Sequence, residues 1–278
     1  MSSSKGSASE ARGRATLSSS VSARVDAVVS EWLKITSLRS TYITLVVAIA
    51  TFVGVSALIC AAYVHRYDQL SPVELLTFDP AFLSVSGVFL AQLAVGVLGV
   101  LTMTSEHSTG MIRTSLSAVP DRLRLLAAKA LVFLAVAFAV GLVGSFAAFF
   151  LGQAILNGRS IGTSISDPAA LRVVVGAALY LAVLGLFALG LGTIIRRTAG
   201  AIAAFFGLLL VLPLIVSALP SPWSTDVHRY LPDSAGTAML RTVRQGDLLP
   251  PWGGFALLCG YAAASLVIGA ALLLRRDA

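Results

Sequence analysis

Six long stretches of the chain carry no charged residue, and the charges crowd into the segments between them. No Lys, Arg, Asp or Glu occurs from Ser40 to His65, Pro80 to Ser105, Ala130 to Gly158, Val173 to Ile195, Thr198 to Thr225, or Leu248 to Leu274. Each stretch exceeds the roughly 20 residues that a helix needs to cross about 30 Å of hydrocarbon. Backbone N–H and C=O groups find no water there, so each must be a helix or a closed barrel strand. Barrel strands would alternate in polarity over about 9–11 residues; these stretches are continuously apolar. The pattern predicts an all-α polytopic membrane protein with six transmembrane helices, near 42–64, 82–103, 130–151, 173–195, 199–219 and 252–274.

Between the spans the pattern changes period. Val21, Val25, Val28, Val29, Trp32 and Thr36 share one helical face, with Arg24, Ser30, Glu31, Lys34 and Ser37 opposite. A helix of this kind lies in the membrane interface, with Trp32 at headgroup depth; the alternative is a plain extension of the first span. Thr104 to Lys129 is the largest loop on its side. Ser105 can cap a short helix there, with Glu106 and His107 in its first turn. Ile112, Leu116 and Val119 make one apolar stripe before Pro120. Such a helix suits a groove on a partner protein, or else it is a connector resting on lipid headgroups. Pro220 to Pro251 is the longest segment on the other side, with Trp223, Tyr230 and Trp252 suited to an interfacial belt. Behind Asp233-Ser234, which could cap it, stands the weakly apolar run Ala235 to Leu240. Two short helices lying on or dipping into the outer leaflet are expected, against a plain polar loop.

Composition agrees with the pattern: 57% hydrophobic and 12% charged residues, against about 45–50% and 25% in a soluble domain. Mean hydropathy is +0.89. Residues 1–22 are Ser-rich and lack the apolar core of a secretory signal. Residues 1–21 read as a disordered tail and 22–278 as one membrane domain. The net charge of +7 is chiefly a topology signal. With the N-terminus inside, fourteen Lys and Arg fall on its side: Lys5, Arg12, Arg14, Arg24, Lys34, Arg39, Arg113, Arg122, Arg124, Lys129, Arg196, Arg197, Arg275 and Arg276. Six fall opposite: Arg66, Arg159, Arg172, Arg229, Arg241 and Arg244. The positive-inside rule puts both termini in the cytoplasm, and no basic soluble domain is left to bind nucleic acid.

Candidate chemistry is sparse. Gln92 and Gln153 are the most polar side chains inside the spans; each marks a translocation path or an interhelical hydrogen bond. Pro213 is expected to kink the fifth span. Cys60 and Cys259 lie within spans and read as small packing residues. No carboxylate or cation interrupts a span, so an ion-coupled carrier lacks its usual parts. His65, His107 and His228 fall outside the stretches or at their ends, which leaves no buried metal cluster, and no Ser–His pair inside the bilayer is evident. No cofactor is expected. The chain has no G-x-x-x-x-G-K-[ST] loop, so it is not expected to be an enzyme, and any ATP hydrolysis belongs to another chain.

The order of these parts resembles a known family. Ser30-Glu31-Trp32-Leu33-Lys34 and Ser37-Leu38-Arg39-Ser40-Thr41-Tyr42 come first, then Thr104-Ser105-Glu106-His107-Ser108-Thr109-Gly110-Met111-Ile112-Arg113 with Leu116, Pro120 and Lys129. Arg229-Tyr230-Leu231-Pro232-Asp233-Ser234-Ala235-Gly236 and Arg275-Arg276-Asp277 follow. Over roughly residues 22–278 the chain looks like the permease subunit of a type-2 ABC transporter of actinobacterial type, with Glu-x-x-x-Gly-Met-x-Arg the most specific element. The resemblance implies a homodimer, or a pair of similar permeases, bound to two ATPase subunits in a bacterial plasma membrane. It implies a coupling role for Glu106, His107, Gly110, Met111, Ile112, Arg113 and Leu116, and a helix bearing Val25, Val28, Trp32 and Lys34 that rests on the ATPase. His107 departs from the family, where an aromatic residue is common. The expected function is the membrane-spanning subunit of an ATP-driven exporter; the alternative is a non-transport membrane protein such as a receptor, an anchor or an assembly factor.

Overall fold

A computed structural model describes residues 39–108, 122–243 and 248–275, with the side chains of 42–105 in the first of these. The described residues are all-α: six helices are long and apolar enough to cross a membrane, and no strand occurs among them. The protein is a polytopic membrane protein. Helix α1 spans Arg39–Arg66, and a short 3-10 turn, Tyr67–Gln69, extends it. Two single-turn helices follow, α2 (Pro72–Leu76) and α3 (Pro80–Ser84). The second, third and fourth spans are α4 (Val88–Ser108), α5 (Arg122–Asn157) and α6 (Pro168–Ile195). The fifth is broken into α7 (Thr198–Phe206), a π-helical turn (Gly207–Val211) and α8 (Leu212–Ser217). Two more short helices, α9 (Trp223–His228) and α10 (Pro232–Thr237), precede a 3-10 turn (Ala238–Leu240) and the last span, α11 (Pro251–Arg275).

Helix α6 is the axis of the bundle. Of its membrane-length window 83% is buried, against 22% for α1, 22% for the fifth span and 28% for α11. It packs against α4, α5 and α11, and α1 packs on α5. Small residues make this possible on three sides. A Cβ added at Gly99 of α4 would lie 2.4 Å from the Gly185 carbonyl oxygen of α6. One at Gly141 of α5 would lie 2.9 Å from Ala178 Cα, and one at Gly190 of α6 would lie 2.1 Å from Ser265 Oγ of α11. Between lipid-embedded helices the hydrophobic drive is weak, so close backbone approach supplies the packing energy.

Element boundaries are set by local chemistry. Asp167 caps α6 by accepting from Ala169 N at 2.9 Å, with Pro168 in its first turn. Ser71 and Glu74 form a reciprocal capping box at α2. The Ser71 N–H and Oγ, both 2.8 Å from Glu74 Oε2, hold that carboxyl below its ordinary value.

Three expectations change, and a fourth, at Pro213, takes a definite form. The second span does not begin near residue 82. Residues 80–84 form a separate helix capped by Asp79, and the chain turns through Val85–Gly87 before α4 starts. The turn is held by α1: Gly87 N donates to Ser56 Oγ at 2.9 Å, and a Cβ there would lie 2.0 Å from the Phe52 carbonyl oxygen. Ser105 does not open a helix. It lies within α4, which runs on to Ser108, and its hydroxyl donates back to the Leu101 carbonyl at 2.6 Å. Asp233 and Ser234 do not cap the run behind them, because α10 starts at Pro232 with no side-chain cap. Pro213 acts through a widened turn: Leu212 N bonds to Gly207 O, five residues back. The wider turn accommodates the proline, which lacks an N–H and crowds the carbonyl four residues before it.

Candidate functional site

The two ends of the bundle differ in kind. At one end four spans are tied together. Thr104 of α4 is fully buried and donates to Val100 O at 3.1 Å, while Thr198 Oγ1, at the start of α7, reaches Thr104 Oγ1 at 3.0 Å. Arg122, in the first turn of α5, donates to the Leu273 carbonyl of α11 at 2.9 Å. Arg196 ends α6 in the left-handed conformation (φ 60°), its N–H bonded to Gly192 O at 3.0 Å. Its side chain reaches Leu272 O at 3.5 Å. Basic groups near the C-terminal carbonyls of α6 and α11 also complement the helix dipoles. Lys129 is 1% exposed on the inner face of α5.

The expected coupling segment enters and leaves the bundle at this end. Glu106 and His107 lie on the last turn of α4, although their side chains are outside the described residues. Gly110, Met111, Ile112, Arg113 and Leu116 lie outside the described residues altogether, as do Val25, Val28, Trp32 and Lys34 of the expected interfacial helix.

At the other end the segment after the fifth span folds back into the bundle. The two expected short helices are present, without the expected Asp233–Ser234 cap, and Trp223 (67% exposed), Trp252 (63%) and Tyr230 (48%) remain on the surface. The second helix, however, dips among the spans themselves. Leu231 and every residue from Ser234 to Leu240 are buried. Gly236 lies against the Tyr180 ring near the middle of α6, where a Cβ would come within 2.3 Å. Gly254 of α11 lies under the Ala235 carbonyl, where a Cβ would come within 2.3 Å. Irregular backbone at this depth is tolerated where protein, not lipid, surrounds it.

Polar side chains hold this re-entrant segment. Asp79, 5% exposed, accepts from Phe82 N at 3.0 Å and from Thr242 N at 2.6 Å, joining α3 to the exit of the segment. Arg172 Nη2 donates to Arg241 O at 2.8 Å, and the Arg241 guanidinium sits 3.8 Å from the centre of the Phe82 ring. Burial draws the Arg241 guanidinium below its ordinary pKa, and the Asp79 charge opposes the shift. Tyr261 of α11 donates to Tyr230 O at 2.7 Å. In the middle, the Tyr180 hydroxyl contacts Gln92 Oε1 and, at 3.1 Å, Asp233 Oδ1.

Gln92 and Gln153 are both buried and both bonded between elements. Gln153 Nε2 donates to Pro80 O at 3.1 Å and Ser84 Oγ at 3.0 Å, and its Oε1 accepts from Thr163 N at 2.6 Å. Each thus has the interhelical partners that a buried amide needs. A Ser–His pair does form: Ser234 Oγ and His228 Nδ1 are 3.1 Å apart. Ser234 is 3% exposed, so the contact staples α9 to α10 and offers no accessible nucleophile. Asp79, Tyr180 and Asp233 were not singled out from sequence as a group. A signal was present: Tyr180 and Thr193 carry the only side-chain hydroxyls between Val173 and Ile195, and a hydroxyl at that depth needs a partner.

Compared with known proteins, the chain matches no family model and no curated protein.

Proposed function

We propose that the chain is the membrane-spanning permease subunit of an ATP-driven exporter in a bacterial plasma membrane, with both termini cytoplasmic. Separate ATPase subunits, two copies per complex, hydrolyse ATP, and a second permease copy completes the translocation path. One observation carries this reading. The Glu106–Leu116 stretch joins α4 to α5 at the end where Thr104–Thr198 ties α4 to α7 and Arg122–Leu273 ties α5 to α11. A displacement imposed on that stretch by a partner would be delivered to four spans at once. Helix α5 is a suitable lever: 36 residues, about 54 Å at 1.5 Å per residue, outlast the hydrocarbon.

The close backbone contacts of α6 with α4 and α5 leave no room for a Cβ at Gly99 or Gly141. A path would therefore run between copies and not through one. The same tightness favours the rival reading, a non-transport membrane protein, and the test must separate them. Glu106→Ala and Leu116→Asp are expected to leave insertion intact and to weaken binding of the ATPase, or its stimulation, by about tenfold, the loss of one charge-assisted hydrogen bond. Pull-down and stimulated ATP hydrolysis with a co-expressed ABC ATPase subunit from the same genome measure both. Wild-type behaviour from both variants would overturn the coupling role and favour the rival.

A further inference from the structure

The surface half of the segment after the fifth span carries a cavity. Pro222, Trp223, Asp226, Val227 and Tyr230 line it, and its volume is about 420 Å³. Counted from Trp223, the other three α9-side residues follow at spacings of three, four and seven, which puts all four on one helical face. The backbone carries that face past the end of α9. Asp226 N bonds to Pro222 O at 3.0 Å, Arg229 keeps helical dihedrals, and Tyr230 N bonds to Val227 O at 3.1 Å. The turn is anchored to the bundle by Tyr261, which donates to Tyr230 O, and by the His228–Ser234 contact.

The lining offers places for both a cation and an anion. Trp223 and Tyr230 are exposed aromatic rings, and a ring face attracts an ammonium group. Asp226 adds a carboxylate. Its Oδ1 accepts from Arg229 at 2.6 Å, whereas its Oδ2 has no partner among the described residues. The Arg229 guanidinium lies 5.2 Å from the centre of the Tyr230 ring, so this ring and carboxylate already hold one cation, the chain's own. Arg229 and Asp226 remain 37% and 57% exposed, and a pair so open adds little to folding. It is neutral as a whole. A pure cation or a pure anion therefore gains one contact and meets one repulsion, while a zwitterion is attracted at both ends. Trp and Tyr side chains settle at the depth of lipid headgroups, where zwitterions are abundant.

We infer that this cavity binds the headgroup of phosphatidylethanolamine, its ammonium on Asp226 Oδ2 against the Trp223 and Tyr230 rings, and its phosphate on Arg229. Guanidinium–phosphate contacts are among the stronger hydrogen bonds. A primary ammonium donates to a carboxylate; the trimethylated group of phosphatidylcholine has no N–H to donate. Phosphatidylglycerol brings a phosphate without a cation, and Asp226 repels its net charge. Such a site is independent of whether the chain transports anything.

The full chain, reconstituted in bilayers that mix brominated with ordinary lipid, provides the test. With Trp32 and Trp252 replaced by Phe, Trp223 is the one remaining tryptophan. Bromine quenches a tryptophan that its lipid touches, so competition between brominated lipids gives their relative binding at the cavity. Phosphatidylethanolamine is expected to exceed phosphatidylcholine by about threefold or more. One charge-assisted hydrogen bond in a dry site would give about tenfold, and the exposure of Asp226 reduces it. Asp226→Asn is expected to bring the ratio close to one. Tyr230→Leu is expected to weaken both of these lipids alike against phosphatidylglycerol and to leave their ratio unchanged. A reference protein carries Trp32→Phe and Trp223→Phe and keeps Trp252, which is exposed but does not line the cavity; its ratio is expected to be close to one. A ratio close to one at Trp223, an unchanged ratio in Asp226→Asn, or the same preference at Trp252 would each overturn the inference. So would a Trp223 that no brominated lipid quenches, the result that water or a second copy of the chain over the cavity would give.

Discussion

Gln153 holds three partners from two separate stretches of chain, and a substitution there shows what one polar side chain contributes inside this bundle. Its amide joins α5 to Pro80 O and Ser84 Oγ of α3 and to Thr163 N of the connection beyond α5. Removing it leaves the Thr163 N–H unmet, while Pro80 O keeps the Ser84 hydroxyl at 2.8 Å, at a site where Gln153 is 5% exposed. An interhelical hydrogen bond in a membrane averages about 0.6 kcal/mol, and stranding a buried partner costs about 1–3 kcal/mol. Gln153→Ala is therefore expected to lose about 1–2 kcal/mol of stability, measured by unfolding in mixed micelles, with Gln153→Met losing as much because it restores volume but no donor. A loss confined to Gln153→Ala would mean that packing, not hydrogen bonding, is what Gln153 provides. Gln92 and Gln153 were legible in the sequence because an amide stands out against an apolar stretch. Their partners were not. Tyr180 is ordinary in a span, and Asp79 and Asp233 sit in segments whose polarity is unremarkable; only the fold carries those carboxyls inward.

At the scale of elements, stretch length predicts helix number well and helix ends poorly. The count of spans follows from hydrocarbon thickness alone. The break before α4 does not, because Phe52 and Ser56 of α1 create it from some 30 residues away in the chain. The fifth span is intermediate. Pro213 announces a disturbance, but its form depends on how the turn N-terminal to it responds. Here the turn takes in one extra residue, so Leu212 N meets Gly207 O. That extra residue faces outward: Leu210 is 48% exposed, whereas Leu209 is 2% exposed. Deleting Leu210 should convert the widened turn to ordinary α-helix while keeping the register of both flanks. The variant is expected to express but to lose up to about 3 kcal/mol, because an ordinary α turn returns Pro213 to the clash with the carbonyl four residues before it. Deleting Ala182, in the buried axis of α6, should rotate every later contact of that helix and abolish the folded protein. If both deletions fail alike, the π turn is not a one-residue insertion that the span can lose.

For the molecule as a whole, the sidedness of the bundle is the property on which most of the functional reading depends. The described acids with described side chains, Asp68, Glu74, Asp79, Asp167, Asp226 and Asp233, all lie at the end that holds the re-entrant segment. Described cations divide almost evenly. Arg122, Arg124, Lys129, Arg196, Arg197 and Arg275 lie at one end, and Arg66, Arg159, Arg172, Arg229 and Arg241 at the other. Some of the latter are used locally: Arg159 pairs with Asp68 at 2.8 Å and Arg229 with Asp226 at 2.6 Å. Since Lys and Arg, and not net charge, decide orientation, the bias rests on the rest of the chain. There Lys5, Arg12, Arg14, Arg24, Lys34, Arg39, Arg113 and Arg276 stand against Arg244 alone. The fold thus defines two ends, and the charge bias of the sequence around it is the ground for the orientation that we propose. Single thiols at Gln69, Thr225 and Arg197, all exposed, read this directly in a chain with Cys60 and Cys259 replaced. Gln69→Cys and Thr225→Cys are expected to react with an impermeant maleimide in intact cells, and Arg197→Cys only after permeabilisation. The reverse pattern would invert the molecule. It would turn the Glu106–Leu116 segment away from any cytoplasmic ATPase. Labelling of Gln69 and Thr225 on opposite sides would instead remove one of the six crossings.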